Sequence, residues 1–246
     1  NATLFHQEYS DFQLNSFLGT SFVVRSIPDL TRFRRLPADP GLKKGRRHLV
    51  GYVGIMGAQD GVDLLVRAMH ELVHHDGRRD VQCLIAGSGT ELDALKRLAH
   101  VLEVEDYVTF TGFLSGEPLL TAFSTFDIGV IPDPKNVYND KISMNKVFEY
   151  MTLGIPFVGF DLIEGRQTAA DAALYAADVT PACLAGRMAQ LLDDDTLRAS
   201  MAATGLDRAR RLLSWDAERA QLLAAYELAL RPRLEAAGAA AAKPIR

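Results

Sequence analysis

The sequence predicts an α/β fold: a doubly wound, mostly parallel sheet closed by C-terminal helices. Three observations carry this. Short apolar runs alternate with helical patterns from Leu49 to Asp161, the signature of βαβ units. Glycines stand at the ends of several of those runs, where a doubly wound sheet places its ligand loops. After Asp161 the strand signal thins out and the remainder reads as helices.

Taken in order, residues before Phe22 show no clear period. Phe22-Val23-Val24-Arg25 reads as a strand, and the Pro/Arg/Lys-rich stretch through Arg47 as connector. The repeating part begins with LVGYVG and a helix from Asp60 to His74. QCLIAG precedes a helix from Glu91 to Leu102, and YVTFTG one from Glu117 to Phe126. DIGVIP, a helix from Asn145 to Leu153 and the strand PFVGFD complete the series. Right-handed crossovers then put helices on both faces. In the first helix Leu64, Leu65, Ala68, Met69 and Leu72 make a stripe at helical spacing, with Asp63, Arg67, His70 and His74 opposite, facing water. The closing helices run from Pro181 to Leu192, Thr196 to Leu213 and Trp215 to Leu230, with Trp215 packing the last of them. Pro232 and the alanine-rich end read as a frayed tail. The resulting division is 1–47 as N-terminal remnant and connector, 48–213 as the sheet domain, and 214–246 as closing helix and tail.

Composition narrows the function. Of the 246 residues 48% are hydrophobic and 24% charged, as in an ordinary soluble enzyme. The formal net charge of −4, with no basic run interleaved with aromatics, argues against nucleic acid as partner. Cys83 and Cys183 lack the spacing of a redox or zinc motif and read as buried thiols in a reducing compartment. No apolar run is long enough to span a bilayer and no signal peptide opens the chain, so the expectation is cytoplasmic. The first residue is Asn rather than Met, the expectation being a fragment of a longer chain.

Three strand-end loops carry glycine: Gly51, Gly54 and Gly57 after the first strand, Gly87-Ser88-Gly89 after the second, and Gly112 after the third. Glycine there lets a phosphate approach the backbone, and the next helix N-terminus receives its charge. The spacing GxxGxxG is not the dinucleotide fingerprint GxGxxG, and no P-loop is present. Tight turns alone are the competing reading.

The segment from Asp140 to Pro156 is the most informative. Asn145 begins a short helix with Lys146 and Glu149 one turn apart, ended by Gly154. A lysine at a helix N-terminus adds a full charge to the dipole's partial one and suits a pyrophosphate. A glutamate one turn later accepts two hydroxyl hydrogens, as a ribose presents them. The competing reading is a surface i,i+3 ion pair.

His70-Glu71-Leu72-Val73-His74 spells HExxH on a helix, the zinc-protease spacing, which makes a zinc metallohydrolase the formal rival from another reaction class. It lacks a third ligand, and motif matches need their structural context. His75 and His100 read as solvated.

Four segments in this order, VGYVGIMGAQDGVDLLVRAM, AGSGTELDALKRLA, VTFTGFLSGEPL and NDKISMNKVFEYMTLGIPFVGFDLIEGR, resemble the nucleotide-sugar-binding half of retaining glycosyltransferases of the GT-B fold, family 4 type. SWDAERAQLLAAYELAL is similar to that family's closing helix, and VVRSIPDLTRF to the strand and turn leading out of the acceptor-binding half; the match runs from about Phe22 to Leu230. The resemblance implies a Rossmann-like donor domain in which Glu149 holds the donor ribose. Phe113 and Leu114 lie near the base, and Gly87 and Gly89 line the cleft. The family's sugar-contacting glutamate falls on Lys141, and the Arg and Lys of its pyrophosphate clamp fall on Ile55 and Asp60. Lys146, with Lys141, is the expected replacement, supported by N–H groups near Gly57 and Ser143 and by Gly54 at the strand end. Glu164 is a further sugar-contact candidate, a solvated loop acid being the alternative.

The reaction implied is transfer from a UDP- or GDP-linked sugar to a glycan or lipid-linked acceptor with retention, in polysaccharide or glycolipid assembly. No cofactor or divalent metal is expected, in keeping with the absence of DxD in the expected donor loops. The acceptor-binding half would be a missing N-terminal segment or a separate chain, and would carry any attachment to the inner face of the membrane. A non-catalytic nucleotide-sugar-binding subunit and a truncated inactive fragment are the alternatives.

Overall fold

The computed structural model describes residues 2–6, 20–24, 33–212 and 215–241. Two short strands, β1 (Ala2–His6) and β2 (Thr20–Val24), pair in parallel as a separate ribbon. The strand read at Phe22 thus begins two residues earlier, and residues 25–32 of the connector lie outside the described ones. The main sheet contains β3 (His48–Val53), β4 (Val81–Ala86), β5 (Val108–Gly112), β6 (Ile128–Ile131), β7 (Phe157–Phe160) and β8 (Ala173–Ala176). Its order is β5-β4-β3-β6-β7-β8 and every pairing is parallel. Chain direction across the sheet reverses between β3 and β6, which are adjacent through Val50↔Ile128 and Gly51↔Gly129. This is the Rossmann-like doubly wound arrangement.

The helices are α1 (Val62–His70), α2 (Leu92–Val101), α3 (Gly116–Thr125), α4 (Asn145–Thr152), α5 (Ile163–Ala169), α6 (Pro181–Asp193), α7 (Asp195–Leu212) and α8 (Trp215–Ala241). Strand residues alternate between two cores, as the pleat requires. Val50, Tyr52, Cys83 and Ile85 face Leu65, Met69, Leu184 and Met188 of α1 and α6. Leu49, Leu84 and Ile131 face Phe123, Val147, Phe148 and Met151 of α3 and α4. On that second face Gly51 keeps the sheet surface flat. A Cβ there would meet the Phe126 ring at 2.1 Å. The missing side chain lets Phe126 and Tyr150 bury against the central strands, where the Tyr150 hydroxyl donates to the Gly51 carbonyl at 3.1 Å.

The stripe of α1 is wider than its five expected residues, since Val62, Val66 and Val73 are buried as well, and Leu64 is only partly so. A π-helical turn, Glu71–His75, extends α1. Four expectations are corrected. The region after Asp161 still contributes the strand β8 and the helix α5. The last helix continues past Pro232 to Ala241, because alanine has the highest helix propensity and sustains the backbone beyond the lost N–H. Trp215 is 51% exposed rather than packed, and Cys183 is only half-buried while Cys83 is fully buried. Helix α8 lies against β1 and β2. Among the described residues no helix is long and apolar enough to cross a membrane.

Residues 33–47 are not a free connector. Leu36 N–H donates to Ser124 Oγ at 2.9 Å and Asp39 N–H to Thr125 Oγ1 at 2.9 Å, so the segment is laced to the end of α3. Asp39 caps a 3-10 turn at Pro40–Lys43, which delivers the chain to β3.

Candidate functional site

Parallel strands that reverse winding direction leave a crevice beyond their carboxyl ends. Here it is a cleft of about 920 Å³ formed by the loops after β3, β4, β5 and β6 and by the first turn of α4. The walls of the first two loops approach too closely for side chains. Gly87 sits at φ +143°, where a Cβ would stand 1.8 Å from the Gly54 carbonyl oxygen. Backbone bonds hold the loops together: Gly54 N–H to Ala86 O and Met56 N–H to Ser88 O, each 3.0 Å. Ile55, Phe113 and Tyr138 stand largely exposed in the cleft lining, with Leu114, Leu119 and Ile142 deeper.

Helix α4 enters the cleft by its N-terminus. Its N-cap, Met144, supplies no side-chain hydrogen bond; Val147 N–H donates to the Met144 carbonyl at 3.0 Å, and the N–H groups of Asn145 and Lys146, the first two of the helix, are left for an incoming anion. Ser143, immediately before, lines the cleft and is buried, and its Oγ has no partner among the described residues.

Lys146 turns to Asp133. Its Nζ lies 2.7 Å from Asp133 Oδ2, the side chains being 12% and 5% exposed, and 4.9 Å from the centre of the Tyr52 ring. The Tyr52 hydroxyl in turn donates to the Ile55 carbonyl at 2.6 Å, fixing the first loop over the pair. Burial pushes the Asp133 carboxyl up, Lys146 pulls it back and Asp60 pushes it further up. Burial likewise raises Glu149, with Lys146 opposing. The competing reading, a surface i,i+3 pair of Lys146 with Glu149, is not what forms: the lysine's ion partner is Asp133, brought in by β6.

Of the expected donor-binding residues, Gly54, Gly87, Phe113, Leu114, Ser143, Lys146 and Glu149 line this one cleft. Gly57, Gly89, Lys141 and Glu164 are not among its lining residues. The N–H of Gly57 is spent on Asp60 Oδ2 at 2.8 Å. A Cβ on Gly89 would meet the Met56 carbonyl oxygen at 2.3 Å, so that glycine serves loop-to-loop packing. Lys141 ends a 3-10 turn, Asn139–Lys141. Glu164 is a buried residue of α5 accepting from Thr168 Oγ1 at 3.0 Å, not a solvated loop acid. Sequence reasoning missed Asp133, Tyr52 and Asn139. Asp133 carried a usable signal, since it directly follows the DIGVIP strand at the sheet end where ligands bind.

The HExxH pair lies elsewhere. His70 Nδ1–H donates to Leu102 O at 3.0 Å and His74 Nε2–H to Glu103 O at 2.9 Å. The two rings thus satisfy carbonyls at the end of α2, the terminal groups a helix leaves unbonded. No group of three or more His, Cys, Asp or Glu able to hold a metal occurs among the described residues.

Comparison with known proteins agrees with this fold. The model of the family described as glycosyl transferases group 1 matches residues 47–194. Alpha-D-kanosaminyltransferase of Streptomyces kanamyceticus is 33% identical over 162 residues, 63% of this chain and 39% of that protein. Sucrose-phosphate synthase of Thermosynechococcus elongatus superposes with a TM-score of 0.75 at 22% identity, over 94% of this chain and 59% of that one. HepE of Anabaena, in complex with UDP, superposes with a TM-score of 0.67 at 17% identity, over 84% of this chain and 57% of that one. The chain spans between 21% and 57% of the length of the curated relatives it matches.

Proposed function

This chain belongs to the glycosyl transferases group 1 family, and from that premise we propose that it is the donor-binding half of a retaining, family 4 type glycosyltransferase. The donor is a UDP- or GDP-linked sugar lying along the cleft, and the acceptor a glycan or glycolipid carried by a second half. In this reading 48–213 is the donor domain, 1–47 leads out of the acceptor half and 214–246 closes the structure. No resident metal takes part.

The observation that carries the proposal is the first turn and a half of α4. An uncapped helix N-terminus, Lys146 and Glu149 all meet the cleft at the point where the sheet reverses. Phosphates take the N–H groups and the ammonium, while Glu149 accepts from vicinal ribose hydroxyls. The apolar residues Phe113, Leu114 and Leu119, across the cleft, suit the flat base. Catalysis would then consist of holding the departing diphosphate and presenting the sugar to the acceptor, which is positioning and electrostatics. HepE, a structural neighbour, is described in complex with UDP, which supports a nucleotide in a fold of this kind.

The test is calorimetric titration of the chain with UDP, GDP and ADP, with Glu149→Ala alongside. Binding of one diphosphate, weakened about tenfold or more in the variant, supports the reading and names the base. Absence of binding to all three removes it. A second reading, a nucleotide-sugar-binding subunit without transfer activity, is favoured by one observation: Ile55 and Asp60 stand where the resembled family has its clamp. Sugar transfer on adding an acceptor-binding half separates the two.

A further inference from the structure

Within the protein itself Lys146 is already neutralised. Among the described residues that line it, Lys146 is the single cation, against the carboxylates of Asp60, Asp133 and Glu149. Its charge is taken up by Asp133 at 2.7 Å, in a pair shielded from water and backed by the Tyr52 ring. A charge-assisted hydrogen bond of that length is a strong one, and two opposite charges in contact present almost no field to a third.

Resting on the donor-binding reading, we infer that Asp133 is a specificity-determining residue which competes with the donor's diphosphate for Lys146. An incoming β-phosphate must either displace the Asp133 carboxylate from the ammonium or lie beside it, like charge against like. Neither Ile55 nor Asp60 offers it another cation. Wild-type cleft affinity therefore rests on the base, the ribose and the helix N-terminus, and the second phosphate adds little. Removing the charge of Asp133 while keeping an oxygen to accept from Lys146 frees the ammonium for phosphate. At a separation of about 5 Å and an effective dielectric near 20, one unit charge changes anion binding by up to roughly a few hundredfold, and screening by water and salt in an open cleft brings this down toward about tenfold.

The experiment is calorimetric titration of wild type and Asp133→Asn with UDP, GDP and the matching monophosphates UMP and GMP. The readout is the ratio of monophosphate to diphosphate dissociation constants within each protein, which loss of folded material does not move. Wild type is expected to prefer the diphosphate by about threefold or less, and Asp133→Asn by about tenfold more than wild type. Asp133→Ser, checked by circular dichroism, takes the place of the amide if that variant does not fold. An unchanged or smaller ratio in the neutral variants overturns the inference while leaving the donor-binding reading intact. So does binding that requires magnesium in wild type and disappears in Asp133→Asn, which would make the carboxylates cation ligands. Failure of every nucleotide to bind either protein defeats the donor-binding reading itself, and the inference with it.

Discussion

The Arg35 guanidinium donates to the Leu153 carbonyl at 2.6 Å, just past the end of the helix whose first turn carries Lys146. It also reaches Gly154 O at 3.0 Å and Ser124 O at 3.5 Å, in the last turn of α3. One fixed fork thus answers the negative ends of two helices that frame the cleft. Arg35→Met leaves those carbonyls without a charged donor and should lower the unfolding free energy by about 2–3 kcal/mol, measured by urea denaturation. Arg35→Lys should recover only part, because an ammonium cannot span three acceptors. Loss of less than about 0.5 kcal/mol in Arg35→Met would show that the strap carries no load.

Glycine positions divide sharply. Gly87→Ala places a methyl 1.8 Å from the Gly54 oxygen at a backbone angle that disfavours side chains. The expected cost is about 3 kcal/mol or more, with nucleotide binding lost as the two cleft loops part. Gly186 is exposed within α6 and an added Cβ meets nothing within 4 Å. Gly186→Ala should stabilise by about 0.5–1 kcal/mol. Thermal melts of the two variants check both signs, and a stable Gly87→Ala would refute the close-packed loops.

What the chain reveals before folding follows physical lines. The runs LVGYV, QCLIA and GVI are legible because strands covered on both faces are apolar throughout. Ala173–Ala176 is not, since four residues with two alanines at a sheet edge carry little strand preference. Lys146 and Glu149 are legible as one helix turn. Their environment is not, because the Asp133 carboxylate joins Lys146 only when β6 and α4 close the crossover. Gly57 and Gly89 carry the signal of a phosphate loop, yet their N–H and Cα are consumed by Asp60 and Met56.

Glu149 should display a conflict between stability and binding. Burial holds its carboxyl above the usual carboxylate range. A raised folded-state pKa penalises the fold wherever the group is ionised. That penalty is full above the folded value, shrinks as pH falls through it, and is absent below the unfolded value of about 4.3. Glu149→Gln is therefore expected to gain about 1 kcal/mol at about pH 7, with the gain closing below about pH 4, while nucleotide affinity falls. Urea denaturation at the two pH values, with calorimetry, tests it. A variant less stable than wild type at neutral pH would contradict the account.

His70 and His74 pack with ring centres 4.9 Å apart, their planes tilted by 43°, and serve the carbonyls of Leu102 and Glu103, the latter at φ +55°. They fasten the end of α2 to the π-helical turn after α1. His70→Ala should cost about 1 kcal/mol by leaving a partly buried carbonyl unpaired. His74→Ala, at an exposed site, should cost less. Because the ring nitrogens facing those carbonyls act as donors, neither cost should depend on metal. Thermal melts with added zinc and with a chelator should superpose for wild type and both variants. A wild-type melting temperature that falls on chelation and recovers with zinc, with no such response in His74→Ala, would instead make the pair a metal site.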